Sequence, residues 1–367
     1  MSRPLLYLSY RQDMALLNTG AKRGWTAVLA VGGLVLPFVV QDDLLIVLAT
    51  AWVAAIGAIG LNIVTGYGGQ VSLGHAFFLA IGAYTAAAIS GDPDSTRLIG
   101  FGITSLPVWL LAAGLVAGLA GLIVAPLAAR LRGLYLAVVT LGLVFIGEHV
   151  FKHWRELTGG VGVGRPAAVP ELFGVQFAVD GAMFTKAQKL YLLMLVLLVI
   201  FGVLARNLVR SRVGRALAAV RDRDLAAAVI GVDVTRYKMI AFAVSSFYAG
   251  VAGALLYVMI GFVEPGSFNL AMSVQYIAMI LIGGVATISG SVLGAVFITL
   301  LPRVTRELPA VLPFVSSSPG SGGITVFQVE TILYGLLIIG FLIFEPRGLF
   351  GIWTRLRTYW KAWPFSH

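Results

Sequence analysis

Apolar residues run through this chain in long blocks separated by short polar clusters, a pattern with neither the two-residue alternation of a half-buried strand nor the single stripe of a surface helix. Crossing a bilayer core of ~30 Å takes roughly 20 apolar residues in a helix. Blocks at 25–40, 44–64, 71–89, 105–128, 134–151, 189–205 and 239–260 approach or meet that length. A longer block follows at 272–303 and a last one at 325–344. The pattern predicts an all-α polytopic membrane protein. Composition sharpens this: 59% of residues are hydrophobic and 11% charged, against about a quarter charged in soluble domains.

The polar clusters between blocks set an orientation, because Lys and Arg collect in cytoplasmic loops. Residues 1–24 carry Arg3, Arg11, Lys22 and Arg23 against Asp13 and are expected inside. Asp42 and Asp43 mark an outer turn, Asp92 and Asp94 a second, and Arg130 and Arg132 an inner one. The long loop 152–188 is then external. Loop 206–238 holds Arg206, Arg210, Arg212, Arg215, Arg221, Arg223, Arg236 and Lys238 against Asp222, Asp224 and Asp233, and is cytoplasmic. The net charge of +10 thus belongs to the inner membrane face, and no nucleic-acid partner is expected.

The tail 345–367, with Arg347, Arg355, Arg357 and Lys361 against Glu345, also reads as cytoplasmic. That parity requires 272–303 to enter and return, breaking at Gly283-Gly284 or Ser289-Gly290. Its two legs make either a re-entrant pair or two short tilted helices. The expectation is ten hydrophobic helices, with a transmembrane domain at 25–344 and both termini cytoplasmic. Absence of cysteine excludes disulfides and thiolate chemistry.

Two glycine pairs interrupt apolar blocks in the same way. Gly68-Gly69-Gln70-Val71-Ser72-Leu73 and Gly283-Gly284-Val285-Ala286-Thr287-Ile288 share the pattern G-G-x-x-[ST]-[LI]. They read as an internal repeat of broken helices, with the breaks expected near the bilayer midplane. In "GYGGQVSLGHAFF", the glycines open the helix and Ser72 is expected to cap its restart. Freed backbone groups there must face protein or a wet cavity. Gln70, Ser72 and His75, with Gly283, Gly284 and Thr287 at the second break, then line a path for an anionic or zwitterionic solute. The plainer reading is that these side chains only satisfy broken backbone.

Other chemistries read poorly. No G-x-x-x-x-G-K-[ST] phosphate loop is present, so ATP and magnesium are expected on other chains and no cofactor on this one. His149 and His153 stand four residues apart, but Lys152 lies between them and the order is not H-E-x-x-H; no metal site is expected. No nucleophile–base set is recognisable, so no catalytic residue is assigned. The loop "VGRALAAVRDRDLAAAVIGVDVTRYKM" predicts a helix from Val213 to Ile230, ended by Gly231, with Leu217, Val220 and Leu225 on one face and Thr235 capping the next span. Such a helix lies on the bilayer or docks in a partner's groove, and its small alanine surface favours the partner.

Four segments in order, "GLNIVTGYGGQVSLGHAFFLAIGAY" (60–84), "GRALAAVRDRDLAAAVIGVDVTRYKMIAFAVSSFYAGVAGAL" (214–255), "LIGGVATISGSVLGAVF" (281–297) and "FEPRGLFG" (344–351), resemble LivM-type permeases of branched-chain amino acid ABC importers. The resemblance covers residues 44–351. It implies a bacterial plasma-membrane permease subunit that pairs with a second, LivH-like permease and two LivG/LivF-like ATPase chains. An extracytoplasmic binding protein would deliver the solute, a branched-chain or other hydrophobic amino acid. It also implies that loop 214–231 is the ATPase-coupling segment, with Asp224, Ala226, Ala227 and Gly231 at matching positions beside Arg215 and Arg221. Relatives handling urea and amides leave the solute open, and a self-contained secondary transporter or channel is the alternative.

Overall fold

The computed structural model describes residues 20–131, 133–172, 174–181, 183–305, 315–316 and 324–362. Arg3, Arg11, Asp13 and Arg132, which enter the charge argument above, lie outside these residues. The described chain is almost entirely helical. Helix α1 covers Gly20–Val39 and α2 Asp42–Asn62, with Asp42 and Asp43 in the first turn of α2, where acids suit the helix dipole. A π-turn at Ile63–Tyr67 extends α2, giving an unbroken apolar run of 26 residues. After an irregular stretch come α3 (His75–Ser90), α4 (Leu106–Arg130) and α5 (Leu134–His153).

Outside the bundle lies a short α6 (Arg155–Thr158). Helix α7 (Lys186–Arg210) opens on a reciprocal capping box of Thr185 and Gln188. The basic loop carries α8 (Arg212–Asp222) and α9 (Asp224–Val229), and α10 (Val234–Ile260) follows. Last come α11 (Leu270–Gly283), α12 (Ile288–Thr305), α13 (Val326–Phe344) and α14 (Gly348–Ala362).

Six helices among the described residues are long and apolar enough to cross a membrane: the α2 run to Tyr67, α4, α5, α7, α10 and α12. The α13–α14 pair, bent by 42°, makes a seventh if it is one span. Helices α1, α3 and α11 are apolar but shorter, so six or seven helices, not ten, reach spanning length among the described residues.

Helix α10 is the centre of the bundle, packed along α4, α3 and α2, while α2 also meets α12 and α7. Small residues allow this. A Cβ at Gly82 would run into the Gly250 backbone, one at Gly250 into Ala113 and Ala117, and one at Gly253 into the Leu79 carbonyl. Backbones at that distance gain the dispersion contacts that drive helix association when lipid removes the hydrophobic contrast. Trp109, Tyr84, Tyr191 and Tyr257 fill the remaining gaps, fully buried. Leu119, Ile123, Leu134, Tyr135 and Ile146 stay exposed on α4 and α5, the apolar surface a lipid-facing helix needs.

The loop between α5 and α7 is tied to the bundle at Arg165–Pro166, which pairs antiparallel with Phe262–Val263 after α10. Arg165 is buried and donates to the carbonyls of Leu157 and Ile99. Burial lowers its guanidinium pKa from the ordinary value, and Tyr257 acts in the opposite sense.

Three local expectations need correction. The 213–230 helix breaks at Arg223, whose extended backbone (φ −156°, ψ 98°) separates α8 from α9. The break turns Leu225 outward, 70% exposed, while Leu217 and Val220 stay buried. The three do not share one face. Asp233, not Thr235, caps α10, its carboxylate accepting the Arg236 N–H at 3.0 Å. And α3 starts at His75, not at 71: Gly74 is the N-cap and Ser72 does not cap the helix.

Candidate functional site

The polar residues of the apolar bundle gather where the two glycine breaks meet. Break 1 runs from the π-turn through Gly74. Gly68 N–H reaches back to the Ile63 carbonyl and Gln70 N–H to that of Val64, each at 3.0 Å. Gly69 holds φ +66°, a left-handed turn that a Cβ would strain and that Arg221 would also obstruct. The α2 run to Tyr67 rises about 39 Å at 1.5 Å per residue, long enough to cross a bilayer core before Gly68-Gly69. The glycine pair lies beside the basic loop, whose Arg221 donates to Gly66.

Break 2, residues 284–287, is shorter. Gly284 has φ +129° and Ala286 φ +58°, the latter uncommon for a residue with a side chain. Thr287 Oγ1 donates to the Gly284 carbonyl at 2.8 Å. Gly283 and Gly294 bring α11 and α12 into backbone contact: a Cβ at Gly283 would strike Gly290, and one at Gly294 the Met279 carbonyl.

Asn62, 1% exposed, joins the two breaks. Its Oδ1 accepts the Ala286 N–H at 2.8 Å, and its Nδ2 donates to the Thr287 carbonyl at 3.0 Å and to Ser291 Oγ at 2.7 Å. One amide thus satisfies the freed backbone of break 2, as burial demands. The reciprocal service comes from α11. Ser273 Oγ accepts the Ala76 N–H at 3.0 Å, supplying to the first turn of α3 the acceptor that Ser72 was expected to provide. Ser72 Oγ instead accepts the Gly74 N–H at 3.3 Å. Thr140 of α5 accepts the Leu73 N–H at 2.9 Å.

The predicted path residues divide. His75 is buried, its ring 4.8 Å from that of Tyr276, and its Nε2 has no partner. Gln70 is 4% exposed with neither amide atom paired. Gln70 lines a cavity of about 210 Å³, also bordered by Gly69, Arg221, Asp224 and Lys238; Ser72, His75, Gly283, Gly284 and Thr287 do not.

The basic loop touches break 1 directly. Arg221 Nη1 donates to the Gly66 carbonyl at 3.0 Å, and its remaining nitrogens face Asp222 at 3.1 Å. Of the other predicted coupling residues, Arg215 donates to the Arg210 carbonyl and Ala227 is buried. Asp224 Oδ2 stands 4.0 Å from Lys238 Nζ. Ala226 is exposed, and Gly231, at φ +88°, ends α9 as expected. Leu225, Val229 and Ile230 project from α9 at 70%, 88% and 75% exposure. At break 2 the α13–α14 corner makes the matching contact, with the Arg347 carbonyl 3.0 Å from where a Gly284 Cβ would stand. All four motif segments therefore meet in one place.

Asn62, Ser273, Thr140 and Lys238 were not singled out from the sequence. Asn62 had a signal: a lone carboxamide inside an apolar run. Ser273 had none, lying 197 residues from its partner. Glu148 pairs with Lys152 at 2.6 Å, His153 Nδ1 lies 2.8 Å from the His149 carbonyl oxygen, and among the described residues no three His, Asp or Glu side chains are grouped to hold a metal.

A bundle of apolar spans with interlocked breaks and one exposed basic loop defines a multi-span membrane transport component. The chain belongs to the family of branched-chain amino acid transport system permease components, which it matches over residues 44–343. It is 30% identical over 330 residues to the high-affinity branched-chain amino acid transport system permease protein LivM of Salmonella typhimurium, covering 85% of this chain and 71% of that one. LivM of Escherichia coli K12 gives the same figures. BraD of Pseudomonas aeruginosa, another such permease protein, is 26% identical over 313 residues, 81% of this chain and 91% of its own. No solved structure matches the chain.

Proposed function

We propose that this chain forms one side of the translocation path of an ATP-driven importer in the bacterial plasma membrane. Its solute is a branched-chain or other hydrophobic amino acid handed over by an extracytoplasmic binding protein. The carrying observation is the 3.0 Å bond from Arg221 of the basic loop to Gly66 of break 1. It gives a force applied to the loop a direct route into the spans. Leu225, Val229 and Ile230, exposed beside it, suit a groove on a soluble ATPase chain better than water does. A LivH-like second permease and a pair of ATPases complete the assembly in this reading.

Ten membrane helices with both termini cytoplasmic accommodate the contacts. Helix α11 begins beside the external loop, where Gly162 N–H donates to Glu264 at 3.1 Å. It ends against the α13–α14 corner, so α11 and α12 are two short spans in this scheme rather than a re-entrant pair. ATP-driven closure of the ATPases moves the coupling loop, and breaks 1 and 2 move with it as one body, an alternating-access step. Reconstitution tests the reading: uptake is expected from the full complex with ATP and the binding protein, and none from this chain alone. Uptake by the isolated chain would make it a self-contained transporter or channel.

A further inference from the structure

Helix α14 is built the wrong way round for a surface helix in water. At 3.6 residues per turn, Ile352, Trp353, Leu356 and Tyr359 fall within ~120° of its circumference, and all four are exposed. Gly351 and Thr354 lie on the other side, buried and half-buried, and the helix packs on α11 and α12. The small residues therefore meet the protein, and the large apolar ones meet whatever lies outside. A contiguous apolar face of this kind marks a contact with something other than water. Charge narrows what that is. From Pro346 to Ala362 the chain carries Arg347, Arg355, Arg357 and Lys361 and no acidic residue. Arg355 is taken up by Glu345, bonded to both carboxylate oxygens at 2.8 Å, which braces the α13–α14 corner. Arg357 is exposed and borders the apolar arc next to Trp353. The exposed apolar surface also runs on from α13, where Ile339, Ile343 and Phe344 are exposed. An apolar arc bearing Trp and Tyr, edged by a base and continuous with the apolar side of α13, fits the headgroup boundary of an anionic leaflet better than a protein groove.

We propose that α14 docks on the acidic phospholipid of the inner leaflet and anchors break 2 there. The corner before α14 is the link. A Cβ at Gly348, where φ is +64°, would collide with the Ile282 carbonyl and the Gly284 nitrogen, so a shift of α14 bears directly on the backbone of break 2. Acidic headgroups hold α14 to the leaflet through Arg357 and its apolar arc, and so keep break 2 fixed while force enters at break 1. The side of the membrane rests on the importer reading.

The test uses the complete complex in vesicles of phosphatidylcholine alone or of an equal mixture with phosphatidylglycerol. The chain has no cysteine, so with cysteine-free partner chains a fluorescent dye at Leu356→Cys reads the apolar arc and one at Thr358→Cys the opposite side. Spin-labelled phospholipid is expected to quench the first at least threefold more strongly than the second. Equal quenching at the two positions overturns the proposal. Quenching at 356 that appears only when the ATPase chains are removed assigns the face to them and also overturns it. ATP-driven uptake should be at least threefold faster in the phosphatidylglycerol vesicles. Arg357→Glu should remove most of that difference and leave uptake in phosphatidylcholine unchanged; Arg357→Gln serves if the reversal lowers the melting temperature. Uptake indifferent to lipid charge, or lowered equally in both vesicles by these substitutions, overturns the anchoring of break 2. Selective quenching at 356 without uptake in either vesicle sinks only the importer reading, and uptake without selective quenching sinks only this one.

Discussion

Break 1 and break 2 share a hexapeptide pattern and little else. Break 1 is long, bends through Gly69, leaves Gln70 unpaired against a cavity and is held by an arginine from the basic loop. Break 2 is short, closed by Thr287 on Gly284, and its backbone is satisfied by Asn62 from the helix that precedes break 1. Each break draws hydrogen bonds from the other's helix: Asn62 serves break 2, and Ser273 serves the start of α3 after break 1, where Thr140 of α5 also serves Leu73. Two interruptions that satisfy each other move more readily as a unit than apart. In the proposed mechanism the open one is where the force on the basic loop enters, and the closed one the anchor.

The largest effect should come from cutting that mutual support. Asn62→Leu leaves the Ala286 N–H without its acceptor, at ~1–3 kcal/mol, and takes one donor each from the Thr287 carbonyl and Ser291 Oγ. Its complex should lose several degrees of melting temperature and nearly all uptake, measured side by side. Gly284→Ala places a Cβ on a backbone at φ +129° and against the Arg347 carbonyl, for about 1–3 kcal/mol. Gly69→Ala at break 1 is expected to cost less in thermal stability, because the flexible side chain of Arg221 is part of what it meets. Equal losses would erase the distinction between anchor and entry point.

Arg221→Gln separates stability from coupling. The side chain is partly exposed, so the melting temperature should barely move, while uptake per ATP hydrolysed falls about tenfold, the effect of ~1.4 kcal/mol. A proportionate fall in both uptake and ATPase activity would point to lost assembly instead. Smallest of all, Ser72→Ala should change stability by under ~0.5 kcal/mol, since Ser72 accepts a single 3.3 Å bond. A larger loss would restore it to the capping role its sequence suggests.

The apolar blocks revealed the spans, and the paired glycines revealed both breaks, because these features are local. Charge marked loop 206–238 as one basic cluster for the same reason, but not its contact with Gly66. What the sequence concealed was partnership across the fold. Ser72 sits where a cap belongs, yet α3 starts two residues past the hexapeptide and takes its acceptor from Ser273. Arg223 looks like any helix residue in an alanine-rich run; its extended backbone follows from packing that buries Leu217 and Val220 on one side of it and Ala227 on the other. Helix length was hidden too, since the π-turn carries the α2 run to 26 residues before Gly68-Gly69.

In the proposed mechanism, loop 206–238 and break 1 move as one body. The chain has no cysteine, and a Cβ at Gly69 would stand 3.2 Å from that of Arg221, close to the ~3.8 Å of a disulfide. A Gly69→Cys, Arg221→Cys double variant, reconstituted with its partners, can be assayed for uptake before and after oxidation. Uptake is predicted to be low when reduced, because the Arg221–Gly66 bond is gone, and to recover when the covalent bond replaces it. A disulfide that forms and leaves uptake low, or abolishes what remains, would show that the loop must slide over the break, contradicting the claim.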